Sequence, residues 1–410
     1  MNRLLKLIFG LKGDFSPGLR PVKKIFQGVE VTPFLGDAGA AVTISADFEL
    51  EWAFRRVSEE NRVLEGVRTR QNMPSLLATL EECRLPITWA TVGHLFLQHC
   101  ERGECGLAHA DLPRPPRPYN WVGDWYRLDP CTNWKKHPGW YAPDLIRDIV
   151  ASRVKHEIGS HSFSHIDFCP EYSTPELVQR ELEQCQRLME ASGLRLRSLV
   201  FPRNLMGHEH GELLARLGVT SVRHRDPRVR LSYPRRTATG VYWLYDSMNT
   251  RNGNWYRYAD KARLFIAEAA KRHAAYHLWF HPSDPKCVFE QSFYPILRHI
   301  ARLRDRGEVW VVTMAELTAF CEAREHARLE VQQHRDGIRI QIDNAYDGRR
   351  YGPTDLTIKI PVPKPPRTAT ITLHPEGRPT GLSFKVSQRD ARLNCLVAVP
   401  ARAGTLELAF

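Results

Sequence analysis

Short apolar runs alternate with amphipathic stretches along most of the chain. Ala41–Ala46 reads as a compact buried strand that runs into the acidic burst Asp47-Phe48-Glu49-Leu50-Glu51-Trp52. Pro74–Cys83 carries Leu76, Leu77 and Leu80 at helical spacing, and Pro86–Val92 predicts a second strand turned by Gly93. Glu157-Ile158-Gly159-Ser160 predicts the end of another strand. Thr174 is a plausible cap for a helix over Pro175–Ala191, with Pro in its first turn and an apolar face of Leu177, Val178, Leu182, Cys185, Leu188 and Met189. The alternation continues with strands at Leu196–Phe201, Val219–Val222, Val241–Tyr245, Tyr276–Phe280 and Val309–Val312. Helices are predicted at Glu209–Leu217, Ala259–His273, Phe293–Arg306 and Met314–Glu325. Strand followed by helix, repeated about seven or eight times, predicts an α/β fold, either a (β/α) barrel or a doubly wound sheet.

Three segments leave this rhythm. Residues 1–38 form a lead-in punctuated by Gly and Pro. Residues 99–143 hold seven prolines together with Trp121, Trp125, Trp134 and Trp140, and neither period survives there. The aromatics argue for an ordered loop, folded over the mouth of the barrel or packed on its own domain. From about Gly337 short runs alternate apolar and polar residues: Ile338–Ile342, Leu356–Ile360, Thr368–Leu373, Leu382–Val386 and Leu393–Val399. They predict a small antiparallel β-domain over 335–410, either carbohydrate-binding or a cap on the barrel; the lack of an aromatic stripe favours the cap. The main domain is then 39–328.

The chain is 410 residues long, with 42% apolar and 25% charged residues, which describes a globular protein of one large domain and a smaller one. A net charge of +12 suits an acidic partner such as an anionic glycan, a lipid phosphate or a membrane surface. Lys and Arg are scattered rather than clustered, which excludes nucleic acid from the expected partners. Nine cysteines, an odd number without a Cys-x-x-Cys pair, argue for a reducing, cytoplasmic setting; Cys100 and Cys105 are close in sequence but lack a second pair. No apolar stretch reaches membrane-spanning length. The basic, apolar start at Met1–Gly10 is not followed by a cleavage site. With Lys6, Lys12, Lys23 and Lys24 nearby, it reads as an amphipathic helix on the inner face of an anionic membrane, or as a helix packed on the domain.

The candidate chemistry sits where strands end. His161 and His165 are four residues apart, so both imidazoles fall on one side of a single turn or tight loop and can share a cation. Asp47, His161, Arg203 and His281 each follow a predicted strand, and in a barrel those ends meet on one face. Asp47 and Glu49 would face the same side of a continuing strand, so which of them touches a metal stays open; Glu51 shares that face and reads as a solvated strand-end charge.

This set of motifs resembles the polysaccharide deacetylases with the NodB-homology domain, carbohydrate esterase family 4, over roughly residues 40–320. His161-Ser-Phe-Ser-His165 and its Glu-Ile-Gly-Ser lead-in are similar to the family's metal-binding motif. Ser45-Ala46-Asp47-Phe48-Glu49 departs from the family's adjacent Asp pair, as in a divergent branch. Phe201-Pro202-Arg203-Asn204 resembles the third motif, Tyr242–Asp246 only weakly the fourth, and His277–His281 the fifth. The resemblance implies a distorted (β/α)7-8 barrel and a divalent cation, zinc by ligand type, held by Glu49, His161 and His165. It implies Asp47 as base, Arg203 as the group that orients it and His281 as general acid. Trp279, Trp125 and Trp140 are the candidates for stacking on sugar. The implied substrate is an acetylated glycan or a sugar-lipid precursor, deacetylated at nitrogen or oxygen. Two alternatives are a catalytically silent glycan-binding protein and a metal-dependent amidase acting on a non-glycan substrate.

Overall fold

The computed structural model describes residues 18–116, 123–250, 257–375, 377–389 and 392–410. The basic start with Lys6 and Lys12, and Trp121 of the insertion, lie outside the described residues.

The chain forms a curled, mostly parallel sheet wrapped by helices, with antiparallel sheets beyond it. Strands follow one another across the curl in the order Met248–Asn249, Ala275–Phe280, Ala40–Phe48, Thr88–Thr91, Glu157–Ser160, Ser198–Val200, Ser221–His224 and Tyr242–Tyr245. Arg235–Arg236 adds an antiparallel edge, and Val309–Val311 pairs with the first half of Ala40–Phe48. The segment 242–249 pairs with Ser221–His224 at its start and with Ala275–Phe280 at its end, which brings the curl round on itself. A bond from the Ser247 N–H to the His277 carbonyl, 2.9 Å, supports that closure. Of the two arrangements that the strand and helix pattern left open this is the barrel, in the distorted, NodB-like form that the resemblance implies.

Register places the functional ends at one height. Phe48 is level with Thr91 and Thr91 with Ser160, while Phe280 is level with Ala46. Residues 47–49, 161 and 281 therefore leave the sheet together at one mouth.

The helix before the second strand is longer than its apolar period predicts. It spans Glu59–Cys83, is capped by Ser58, and passes through Pro74. Its first half carries charge on every side, so hydrophobic spacing does not reveal it. Met314–His326 is buried nearly all round, including Glu322 and Arg324. It lies within one apolar cluster that runs from Ala41, Ala90 and Val200 through Leu317 and Phe320 to Ile340, Ile358 and Val397. The C-terminal strands therefore pack against the barrel rather than standing apart from it. Two of them, Ala327–His334 and Gly404–Ala409, were not legible in the alternation. The lead-in also joins this unit: Val29–Val31 pairs with Asp355–Pro361. Lys24 is buried and donates to the Glu325 carbonyl, 2.6 Å, so it is not presented to a membrane surface. No helix among the described residues is long and apolar enough to cross a membrane.

Three histidines are built into this fold in the neutral form. His156 Nδ1 accepts the Ile87 N–H, His224 stacks on Trp243, and His277 meets the Thr43 and Ser45 hydroxyls. Burial pushes His156 and His224 down to about 4 and His277 to about 3. The unfolded chain takes up these protons near pH 6.5, so between there and pH 4 it holds more protons than the folded chain. Stability is thus complete above about pH 6.5 and falls with pH, by up to about 1.4 kcal/mol per unit for each group. Denaturant titrations at several pH values should show this loss, and His224→Gln should make the slope shallower. Equal stability from neutral pH to pH 4 would contradict it.

Candidate active site

Asp47 and Glu49 leave the carboxyl end of Ala40–Phe48 as buried carboxylates. They separate into different environments. Asp47 is gripped by Arg223 through two bonds, Nη1 to Oδ1 at 2.6 Å and Nη2 to Oδ2 at 2.8 Å. Burial alone would raise Asp47, but the charge and hydrogen bonds of Arg223 outweigh it, and the carboxyl is held below its usual range. Glu49 faces the histidines: Oε2 lies 3.2 Å from His161 Nε2 and 3.3 Å from His165 Nε2. Burial opposes its charge as well, and His281, His161 and His165 together bring it well below the usual carboxylate range.

The histidine pair sits on a tight loop rather than a helical turn. Ser162 and His165 both adopt left-handed backbone, φ 59° and 58°, a strained choice for residues with a Cβ. The loop is held from several sides. The Gly93 and His94 N–H groups donate to the Ser162 and Phe163 carbonyls, 2.8 and 2.9 Å. Glu181 accepts the Ser164 N–H and hydroxyl, 2.8 and 2.6 Å, and Arg55 donates to the Ser164 carbonyl, 2.8 Å. A Cβ on Gly93 would stand 2.7 Å from Cys185 Sγ and 3.1 Å from Phe163 Cα, so only glycine passes there. His161 Nδ1 donates to the Val200 carbonyl, 2.8 Å, which leaves Nε2 as a lone-pair donor toward Glu49. Burial pushes His165 down to about 4, against the pull of Glu49, so its ring is neutral near pH 7. Two imidazoles and one carboxylate converging through three buried residues are a donor set that fits a zinc-like cation.

His281 closes the ring. Its Nε2 is 3.4 Å from Glu49 Oε1 and 3.9 Å from Asp47 Oδ2. The cleft is walled by Trp52, Trp125, Trp279 and the buried Arg55, with the exposed Arg56 and Arg203 toward its rim.

Several expectations need correction. Arg203 does not reach Asp47; it pairs with Asp167 at 2.9 Å and its side chain is 41% exposed, against 1% for Arg223. The guanidinium on Asp47 comes one strand later than the motif suggests. Arg203 occupies a left-handed turn at the strand's exit, φ 56°, whereas Arg223 lies within Ser221–His224. A charge inside a short apolar strand was the available signal. Glu51 is not solvated: it is buried and accepts from Arg62 Nε at 3.0 Å. Trp140 is not on the cleft; it packs against Trp52, and its carbonyl accepts the Trp52 indole N–H. Trp125 and Trp279 do line the cleft, but neither offers both faces to a sugar. A guanidinium covers each, Arg55 at 4.2 Å over Trp125 and Arg223 at 4.4 Å over Trp279. Asp246 of the weak fourth motif accepts the Trp279 N–H, 3.1 Å, and so orients that wall.

The polysaccharide deacetylase family model matches residues 65–222. A crystal structure from Mycobacterium smegmatis, described as a polysaccharide deacetylase, superposes with a TM-score of 0.53 at 15% identity, covering 76% of this chain and 96% of that one. At that identity the likeness is one of fold. A crystal structure of Puue allantoinase aligns with a TM-score of 0.46 at 15% identity, over 70% of this chain and 92% of that one. No curated protein sequence matches the chain.

Proposed function

We propose that the chain is a member of the polysaccharide deacetylase family, whose model matches residues 65–222, and that it is a metal-dependent deacetylase acting on an acetylated amino sugar or sugar of a cell-surface glycan, or of its lipid-linked precursor. The observation that carries this reading is the meeting of Glu49, His161 and His165 in one buried cluster between the Arg223-held Asp47 and His281. These three residues would hold the cation, which when bound supplies a Lewis acid that makes water nucleophilic near neutral pH.

The chain's own groups supply the remainder. Asp47 takes the proton of the attacking water at a carboxylate oxygen, and Arg223 keeps that carboxylate ionised and in line. Protonated His281 delivers the proton from Nε2 to the leaving nitrogen or oxygen of the sugar. Trp52, Trp125 and Trp279 exclude bulk water and so strengthen these charges. Arg56 and Arg203 at the rim favour a substrate carrying negative charge near the acetylated ring, as a sugar phosphate of a lipid-linked precursor does. That preference, with the +12 net charge, supports work at the inner face of a membrane.

The test is acetate release from acetylated amino sugars, free and lipid-linked, by zinc-loaded protein and after chelation. Release that chelation abolishes is expected. Tight glycan binding without any release would favour a silent binding protein, and release only from non-sugar amides would favour an amidase.

A further inference from the structure

A second set of donors converges inside the insertion, apart from the cleft. His94 Nε2, His109 Nε2 and Asp129 Oδ2 stand 3.0–3.1 Å from one another. Cys100 Sγ lies 3.3 Å from the same Asp129 oxygen, and all four ligand atoms fall within 4.8 Å of each other. His94 belongs to the turn Gly93–Phe96 that leaves the barrel strand Thr88–Thr91, whereas the other three come from the insertion.

Each donor is aimed by what surrounds it. His94 Nδ1 donates to the Trp140 carbonyl at 3.1 Å, which turns Nε2 toward the centre. Asp129 Oδ1 accepts the Cys131 N–H at 2.9 Å and the Tyr141 hydroxyl at 3.0 Å, which leaves Oδ2 for the centre. His94 Nδ1 and Asp129 Oδ1 are thus engaged elsewhere, while Nε2 and Oδ2 face each other at 3.0 Å with His109 Nε2 and Cys100 Sγ beside them. Four ligand atoms converging on one point are the arrangement that a shared cation requires. Metal–ligand bonds of about 2.0–2.3 Å set tetrahedral edges of roughly 3.3–3.8 Å, so the spacings among His94, His109 and Asp129 need to open by only a few tenths of an ångström.

We propose that His94, Cys100, His109 and Asp129 form a second metal site, a closed four-ligand centre for zinc or a zinc-like cation that staples the insertion to the barrel. Imidazole and thiolate donors with one carboxylate suit that ion, and four protein ligands leave no position for water, so the centre is structural. Its position links it to the cleft. The His94 ring lies 4.5 Å from Trp52, the His94 backbone N–H donates to the Phe163 carbonyl between His161 and His165, and Asp129 is four residues beyond Trp125. Stapling these ligands holds the two tryptophan walls where the substrate enters.

The experiment is metal analysis of purified full-length chain beside a variant whose cleft ligands are removed, His161→Ala with His165→Ala. About two zinc ions per chain are expected for the unmodified protein and about one for the variant. Adding Cys100→Ser and His109→Ala should remove the remaining ion. Because those last changes can also unfold the insertion, cobalt is substituted into the cleft-blanked variant as a second readout. A thiolate-to-cobalt charge-transfer band is expected there, lost in Cys100→Ser and kept in Cys131→Ser. A metal-free cleft-blanked variant, or bound cobalt without that band, would overturn the site. Neither result depends on deacetylase activity, so this proposal can fail while the reading of the cleft stands.

Discussion

Replacing His161 by alanine is expected to lower the metal content by one ion per chain and reduce deacetylation to background, whereas replacing His281 is expected to keep the ion and lose the reaction. The difference follows from position. His161 Nε2 and His165 Nε2 converge on the same Glu49 oxygen, and His161 is locked in its donor form by the Val200 carbonyl. Two of three donors do not hold a zinc-like ion against water. His281 faces Glu49 and Asp47 from across the cleft, where the leaving group departs, and is not needed for that grip. Losing a general acid costs about 10²–10⁴-fold in kcat. Metal analysis and acetate release on both variants check the pair. An His161→Ala protein with its full complement of metal would mean the ligands lie elsewhere.

The second large effect concerns Arg223. Removing one partner of a buried ion pair leaves the other charge without compensation, at about 3–5 kcal/mol. Arg223→Met should therefore lower stability by that order, and Asp47 should lose both its alignment and its ionised state. Arg203→Met should cost under about 1 kcal/mol, because its side chain is 41% exposed and its pairing with Asp167 is screened. Denaturant unfolding with acetate release separates the two variants. If Arg203→Met proved the more damaging, the arginine that serves Asp47 would have to be reassigned. Arg223 also donates to Ser45 and to Asn204 and covers Trp279, so its loss would loosen the cleft wall as well.

Much of this molecule is legible in its pattern of residues. The alternation of short apolar runs with amphipathic stretches determines a parallel sheet wrapped by helices, because each element can bury its apolar side in only one way. Polar residues just past strand ends identify the mouth, since parallel strands deliver their carboxyl ends to one face. Spacing alone pairs His161 with His165.

Other features depend on contacts between residues remote in the chain. Asp47 and Glu49 share a face in an extended strand, and nothing local separates their roles. The separation comes from Arg223, 176 residues away, and from the histidine loop. The motif pointed to Arg203, whereas Arg223 holds Asp47, for the same reason: which guanidinium reaches Asp47 depends on the curl of the sheet. Cys100 and Cys105 are close in sequence, yet Cys105 is exposed, while Cys100 meets Asp129 and, through it, His94 and His109. The sequence by itself determined the layers, the mouth and the histidine pair, because these follow from local periodicity and chain direction. Tertiary structure alone decided which carboxylate faces the histidines, which arginine holds the other, and where the insertion is fastened, because those choices are made by burial and charge between residues far apart along the chain.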